Sequence, residues 1–180
     1  LLKRIVESGT QVRGIRVVGS SADMLPAALI AETSALLNAP FANTFGATET
    51  GLPPATAHLI PIGVAPTNLD KQRSSLCEFR IVDGEDRDVT AGEVGEIILR
   101  GPTLFSGYWN APEVNAKDFR GGWFHMGDLF RQTDAGGLEF AGRSKYMIKS
   151  GGENIYPAEI ERILLADPRI DDTAVVRKPD

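Results

Sequence analysis

Apolar positions recur at helical spacing in short blocks of this chain and alternate with polar ones elsewhere. Residues 1–8 read as the end of a helix, with Gly9 as its stop. GIRVVGS (14–20) is a strand-length apolar run and reads as a buried strand. Pro26 then opens PAALIAETSALLN, where Leu29, Ile30, Leu36 and Leu37 fall at roughly helical spacing. Proline suits a first helical turn, and Asn38 with Pro40 ends the run. FANTFG follows as a second strand. Strand, helix, strand predicts a βαβ unit and hence a parallel pair.

From about residue 75 the period changes. LCEFRIVD alternates, with Phe79 and Ile81 on one face and Glu78, Arg80 and Val82 on the other, and Asp83-Gly84 is a turn signal. GEVGEIILRG reads as another strand, and DLFRQ and LEFAGR flank the turn TDAGG. Short strands with Gly/Asp turns predict an antiparallel sheet or a small barrel. Near Ser144 a third block begins: a Gly-Gly loop, a helix opening at Pro157 with Ile160, Ile163 and Leu164 on one face, a stop at Pro168, and a strand-like end in DDTAVVRKP. The expected fold is α/β plus antiparallel β. Its parts are a strand-helix-strand tail of a parallel sheet (1–74), a small β-barrel-like subdomain (75–143), and the hinge and start of a mobile α+β C-terminal domain (144–180).

Composition changes this picture little. Apolar residues make up 42% and charged residues 24%, which is ordinary for a globular protein. No apolar run approaches the roughly 20 residues of a membrane span. The net charge of −5 argues against a nucleic-acid surface, so a phosphate-bearing partner needs local cations or a metal ion. The single Cys77 excludes an internal disulfide framework, two histidines make no metal cluster, and a reducing, cytoplasmic setting is the default. With no initiator Met and an abrupt end after VVRKPD, the chain reads as a piece of a longer protein.

Three stretches carry candidate chemistry. NTFGATET (43–50) follows a predicted strand at its carboxyl end, where ligands bind in open α/β sheets. Gly46 lets a ligand approach the backbone, Phe45 offers a flat face to a base, and Asn43 offers both a donor and an acceptor. Thr48 can donate to a phosphate oxygen, and Glu49 is a hard oxygen ligand suited to Mg²⁺. A polar loop with capping threonines explains the same residues. WFHMGDLF (123–130) sets Asp128 among aromatics, where it suits the two hydroxyls of a ribose or caps a hairpin; His125 reads as a packed residue and His58 as a surface one. GRSKYMIKSGGENIYP (142–157) joins Arg143, Lys145 and Lys149 to Gly151-Gly152, either to meet an anion or as a basic solvated linker. GEIILRGPTLFSGYWNAPE (95–113) holds no evident catalytic group, and its Tyr108 and Trp109 read as packing residues.

Taken in this order, the four motifs resemble the adenylate-forming superfamily of acyl- and aryl-CoA synthetases, peptide-synthetase adenylation domains and luciferases. NTFGATE is similar to that family's Tyr/Phe-Gly-x-Thr-Glu, WFHMGDL to its Trp-(aromatic)-x-Thr-Gly-Asp, and residues 142–161 to its Gly-Arg…Lys…Gly-x-x-(Ile/Val)-x-Pro-x-Glu hinge. The resemblance implies ATP, Mg²⁺ and CoA as cofactors and a small carboxylate as substrate. It implies that Phe45 stacks on adenine, Asn43 reaches its amino edge, Thr48 contacts the α-phosphate and Glu49 holds the metal. Asp128 and Arg143 would bind ribose, Lys145 and Lys149 would lie at the hinge, and Gly151 and Gly152 would flank the pantetheine path. Ser20, Ser21 and Ala22 match a small-residue loop beside adenine and the acyl group. The sequence departs from the family at Ser20, Ser21, Asp23, Met126 and Tyr146. No Ser/Thr/Gly-rich, lysine-containing phosphate loop lies within the 180 residues, so the piece alone is expected to be inactive. SGGENIYPAEIE favours a CoA ligase over a carrier-protein-loading adenylation domain; a non-catalytic nucleotide-binding relative is the other reading.

Overall fold

The computed structural model describes residues 1–21, 25–167 and 169–178. Two helices and a parallel strand pair open the chain. Helix α1 (Leu2–Ser8) ends where Gly9 turns left-handed at φ 61°, which an L side chain resists. Strand β1 (Val18–Ser20), helix α2 (Ala27–Leu37) and strand β2 (Phe41–Phe45) form the expected unit, with β1 parallel to β2. The strand at 14–20 is shorter than the apolar run suggests, because only residues 18–20 find a partner. Helix α2 buries Ile30, Thr33, Ser34 and Leu37 at i, i+3, i+4 and i+7, so two hydroxyls share its inner face. Ser34 meets its hydrogen-bonding needs there: its Oγ donates to the Ala31 carbonyl and accepts from the Gly63 amide.

Strands β3 (Ala55–Ala57), β4 (Lys71–Arg73), β5 (Glu78–Val82), β6 (Gly95–Arg100), β7 (Phe124–Gln132) and β8 (Leu138–Arg143) are antiparallel neighbours. Helix α3 (Pro112–Asp118) connects β6 to β7. The sheet order is β1-β2-β3-β4-β8-β7-β6-β5. Among the described residues this is one open sheet of eight strands, and the barrel-like closure expected for 75–143 gives way to it. The physical reason is β3: it pairs with β2 on one side and β4 on the other, which joins the parallel unit to the antiparallel strands across residue 74.

Two apolar clusters hold this arrangement. Val18, Ile30, Leu37, Phe41 and Ile60 pack α2 onto the parallel pair. Phe45, Ala55, Ile81, Ile97, Leu99, Phe130 and Leu138 form the second cluster under the antiparallel strands. The hairpin of β9 (Ile148–Ser150) and β10 (Glu153–Ile155) and helix α4 (Pro157–Leu165) complete the described elements. Residues 169–178 contain no strand, in contrast to the expectation for DDTAVVRKP; none of the described strands pairs with them.

Candidate active site

The run from Phe45 to Gly51 leaves the carboxyl end of β2 and closes a 3₁₀ turn over Thr48–Thr50. Thr50 is the capping residue: its buried hydroxyl accepts the Ala47 amide at 3.1 Å and donates to the Ala47 carbonyl at 2.8 Å. That hydroxyl is committed to the turn. Thr48 is exposed beside it, and Glu49 is half-buried. Gly51, at φ 66°, lies where an added Cβ would meet the Thr103 carbonyl oxygen at 2.7 Å, so the turn packs backbone to backbone on the loop after β6.

The other residues of this strand end serve the scaffold. Phe45 is 5% exposed, and its ring meets Phe130 edge-on with centroids 4.6 Å apart. Core packing therefore replaces the expected open stacking face, because the pleat points residues 41, 43 and 45 inward together. Asn43 is likewise buried, and its Nδ2 donates to the Ser20 carbonyl across the parallel pair at 3.2 Å. Ser21 and Gly46 line one small cavity of about 200 Å³ with Thr44, Ala47 and Thr50. Ser20 pairs with Asn43 in register, while the Ala22 assignment lies outside the described residues.

Asp128 is placed by an irregularity in β7. Between the pairs Glu96–Leu129 and Ile98–His125 the register slips, and Gly127 takes φ 77°. Its amide turns to Glu96 Oε1 at 3.0 Å instead of continuing the ladder. Such bulges re-aim a side chain. Asp128, 2% exposed, then faces Arg143 on β8, with Nε 2.9 Å from Oδ1. A buried carboxylate with a cation at its side is an acceptor pre-set for hydroxyl donors. His125 is packed, as its sequence suggests, with Nδ1 3.2 Å from Glu96 Oε2.

Arg143 and Lys145 share a cavity of about 680 Å³ with Phe140, Met147, Ile148 and Val175. Asp128 itself lines neither cavity: Arg143 lines the larger one and Thr50 the smaller. Lys145 Nζ lies 4.7 Å over the Tyr146 ring. Lys149 is exposed on β9, and Gly151 and Gly152 form the turn to β10 at φ 58° and 87°.

The segment 95–113 supplies a group that its sequence does not advertise. The Tyr108 hydroxyl donates to Glu49 Oε1 at 2.9 Å, and the Phe105 amide donates to the Glu49 carbonyl at the same distance. Burial, and then the hydrogen bond to Glu49 and its charge, push the Tyr108 phenol up to about 12. Trp109, read from sequence as packed, is 98% exposed instead. No spacing signal links residues 49 and 108; only tertiary contact brings them together.

The donor set suits a magnesium-nucleotide. Among the described residues no three His, Cys, Asp or Glu side chains cluster into a metal cage. Mg²⁺ seldom needs one, since it is bound through one or two carboxylates plus substrate phosphates. Glu49, on an accessible turn beside the Thr48 hydroxyl, fits that role. The carboxylate-bearing turn at 48–50 lies at a strand's carboxyl end, the place where open α/β sheets bind ligands, and a second, buried carboxylate stands beside an arginine.

Similarity to known proteins narrows the reading. Residues 1–109 match the family described as AMP-binding enzyme, and the chain belongs to that family. It is 38% identical over 167 residues to the indoleacetate–CoA ligase of Aromatoleum aromaticum, covering 92% of this chain and 32% of that protein. It is 37% identical over 158 residues to a fatty acid–[acyl-carrier-protein] ligase of Streptomyces coeruleorubidus, covering 85% of this chain and 30% of that protein. The fold superposes on O-succinylbenzoate coenzyme A synthetase from Bacillus subtilis, in complex with ATP and magnesium, with a TM-score of 0.77 and 30% identity, covering 99% of this chain and 37% of that one. The chain thus spans about a third of the length of the curated relatives it matches. Among the described residues no helix is long and apolar enough to cross a membrane.

Proposed function

We propose that the protein carrying this chain is an AMP-forming carboxylate–CoA ligase. A carboxylate oxygen of an acyl or aryl acid attacks the α-phosphorus of ATP; the bond to the β-phosphate bridge breaks and pyrophosphate leaves. The sulfur of CoA then attacks the acyl carbon, AMP departs with the carboxyl oxygen, and the thiol proton is released. The logic is that of leaving groups: a carboxylate oxygen departs poorly, whereas AMP departs well. The protein must bring anions together and neutralise the charge that develops.

In this reading Thr48 donates to the α-phosphate, and Glu49 would hold Mg²⁺, which would supply screening of the phosphate charge. Asp128 accepts both ribose hydroxyls, steadied by Arg143. Gly46 and Ser21 give the nucleotide close approach to the backbone. Lys145 stands at the hinge of the C-terminal part, with Lys149, Gly151 and Gly152 on the hairpin beyond it. The observation that carries the reading is the pair of carboxylates in contrasted settings. Glu49 is half-buried on a surface turn beside the exposed Thr48, whereas Asp128 is buried against the exposed Arg143.

The experiment is carboxylate-dependent ATP–pyrophosphate exchange by the full-length protein, followed by AMP release on adding free CoA. Exchange with no acid of a fatty and aryl panel would overturn the proposal. The isolated 180 residues are expected to show none, since they hold no phosphate loop. A second reading has one specific observation in its favour, the similarity to a carrier-protein ligase. Under it the acceptor is a carrier-protein thiol, and a carrier protein would replace CoA in the second step.

A further inference from the structure

Tyr108 stands in a loop built to hold it. Asn115 on α3 grips its backbone twice: Oδ1 accepts the Tyr108 amide at 2.7 Å, and Nδ2 donates to the Tyr108 carbonyl at 2.8 Å. Gly107, at φ 124°, passes so near that an added Cβ would sit 3.1 Å from the same Asn115 oxygen. The Phe105 ring meets the Tyr108 ring edge-on at 4.8 Å and rests on Phe119 and Phe124 beyond. The short stretch 105–108 therefore takes hold of Glu49 at two points, carbonyl and carboxylate.

We infer that Tyr108 is a positioning residue for Glu49, its hydroxyl fixing the carboxylate through Oε1 so that Oε2 is presented to the divalent cation of the nucleotide. This rests on the proposed role of Glu49. A glutamate on an accessible turn has several rotamers, and ordering it at the moment of binding costs free energy. A neighbour that orders it beforehand removes that cost from metal binding. Partners of this kind typically change metal affinity 10- to 100-fold when removed. The loop's own anchors explain why the hydroxyl is a fixed point: backbone clip, aromatic bed and glycine clearance all precede any ligand.

The test uses the full-length protein with Mn²⁺ and ATP, bound metal being followed by water-proton relaxation. The Mg²⁺ concentration for half-maximal pyrophosphate exchange is measured alongside. Tyr108→Phe removes one oxygen atom and is expected to weaken Mn²⁺ binding about tenfold, to raise the Mg²⁺ requirement in step, and to leave the melting temperature unchanged. Asn115→Ala, which frees the Tyr108 backbone, shifts both readouts the same way by less. Glu49→Gln weakens metal binding further, and Tyr108→Phe added to it changes nothing more, because the hydroxyl acts through that carboxylate. Wild-type metal affinity in Tyr108→Phe, with Glu49→Gln impaired, overturns the inference and leaves the role of Glu49 standing. Full additivity of the two variants overturns it as well. Wild-type metal affinity in Glu49→Gln overturns the assignment of Glu49 itself.

Discussion

The antiparallel strands β5–β8 and the C-terminal helix α4 touch along one face of the sheet, yet different forces hold them. The strands close over a packed apolar cluster with Phe130 at its centre, edge-on to both Phe45 and Phe140. Helix α4 has its apolar residues turned outward: Ile160, Ile163 and Leu164 are exposed, Ile163 to 72%, and Pro157 alone is buried. Charges take over what burial leaves undone. Arg131 on β7 donates to Glu139 on β8 and to Glu159 on α4, and Arg162 on α4 donates back to Glu139. Burial in the strands is not subject to charge screening, whereas a half-exposed charge network yields to salt and pH. The strands carrying Asp128 thus rest on packed apolar side chains, whereas α4 is joined to them largely by ion pairs.

The comparison breaks first at Phe130. Phe130→Ala empties the centre of the cluster and is expected to destabilise the protein by about 3–5 kcal/mol, read by denaturant unfolding. A loss below about 1 kcal/mol would mean that the strands do not depend on this cluster. Asp128 tests the same strands for function. Asp128→Ala removes charge-assisted hydrogen bonds worth about 1.5–3 kcal/mol, so the full-length protein's KM for ATP should rise roughly 10- to 100-fold. An unchanged KM would remove Asp128 from the nucleotide site.

How much of this was legible in the sequence differs between the same two regions. The βαβ unit showed itself because Pro26, Asn38 and the apolar spacing of α2 agree with one another, and local agreement of that kind survives folding. The strands β5 to β8 were legible as alternation, but their joining to the parallel unit in one open sheet was not, since pairing of β3 with both β2 and β4 is a long-range fact. In the site, residue types singled out Thr48, Glu49, Asp128 and Arg143 as candidates. They misplaced Phe45 and Asn43, because an aromatic and an amide at a strand's end read the same whether they face a ligand or the core. Tyr108 was invisible for a third reason: 59 residues separate it from its partner. The shared face of Ile160, Ile163 and Leu164 was legible, but its exposure was not, because periodicity reports which residues share a face and says nothing of what covers it.

The charge network gives the next smaller effect. Burial pushes the Glu139 carboxyl up, but hydrogen bonds from Arg162 and Arg131 outweigh it and leave the carboxyl below the ordinary glutamate value. A carboxylate lowered in the folded state stabilises that state above its unfolded value, about 4.3. The contribution fades as pH falls through the lowered folded value. The protection factors of the α4 amides, taken against the intrinsic exchange rate at each pH, should therefore fall below about pH 4, while the amides of β6 and β7 remain protected. Glu159→Gln at neutral pH should loosen the helix by about 1 kcal/mol or less, in keeping with partly exposed ion pairs. Equal protection of α4 and β7 across that acid range would show that the helix is held by something other than these charges.

The smallest effect sharpens the contrast within a single loop. Tyr108 and Trp109 are adjacent and both aromatic, and they differ in everything the fold does with them. Tyr108 is clipped by Asn115, bedded on Phe105 and bonded to Glu49, whereas Trp109 stands 98% exposed. Size and hydrophobicity alone would rank the tryptophan as the costlier residue to lose. Contact ranks it last, because a side chain in water in the folded state has no burial to forfeit. Trp109→Ala should change stability by no more than about 0.5 kcal/mol and leave the Mg²⁺ requirement where it was. A loss of 2 kcal/mol or more in the full-length protein would show Trp109 packed against a surface outside these residues. The loop would then be held from both of its faces, Glu49 on one and that surface on the other.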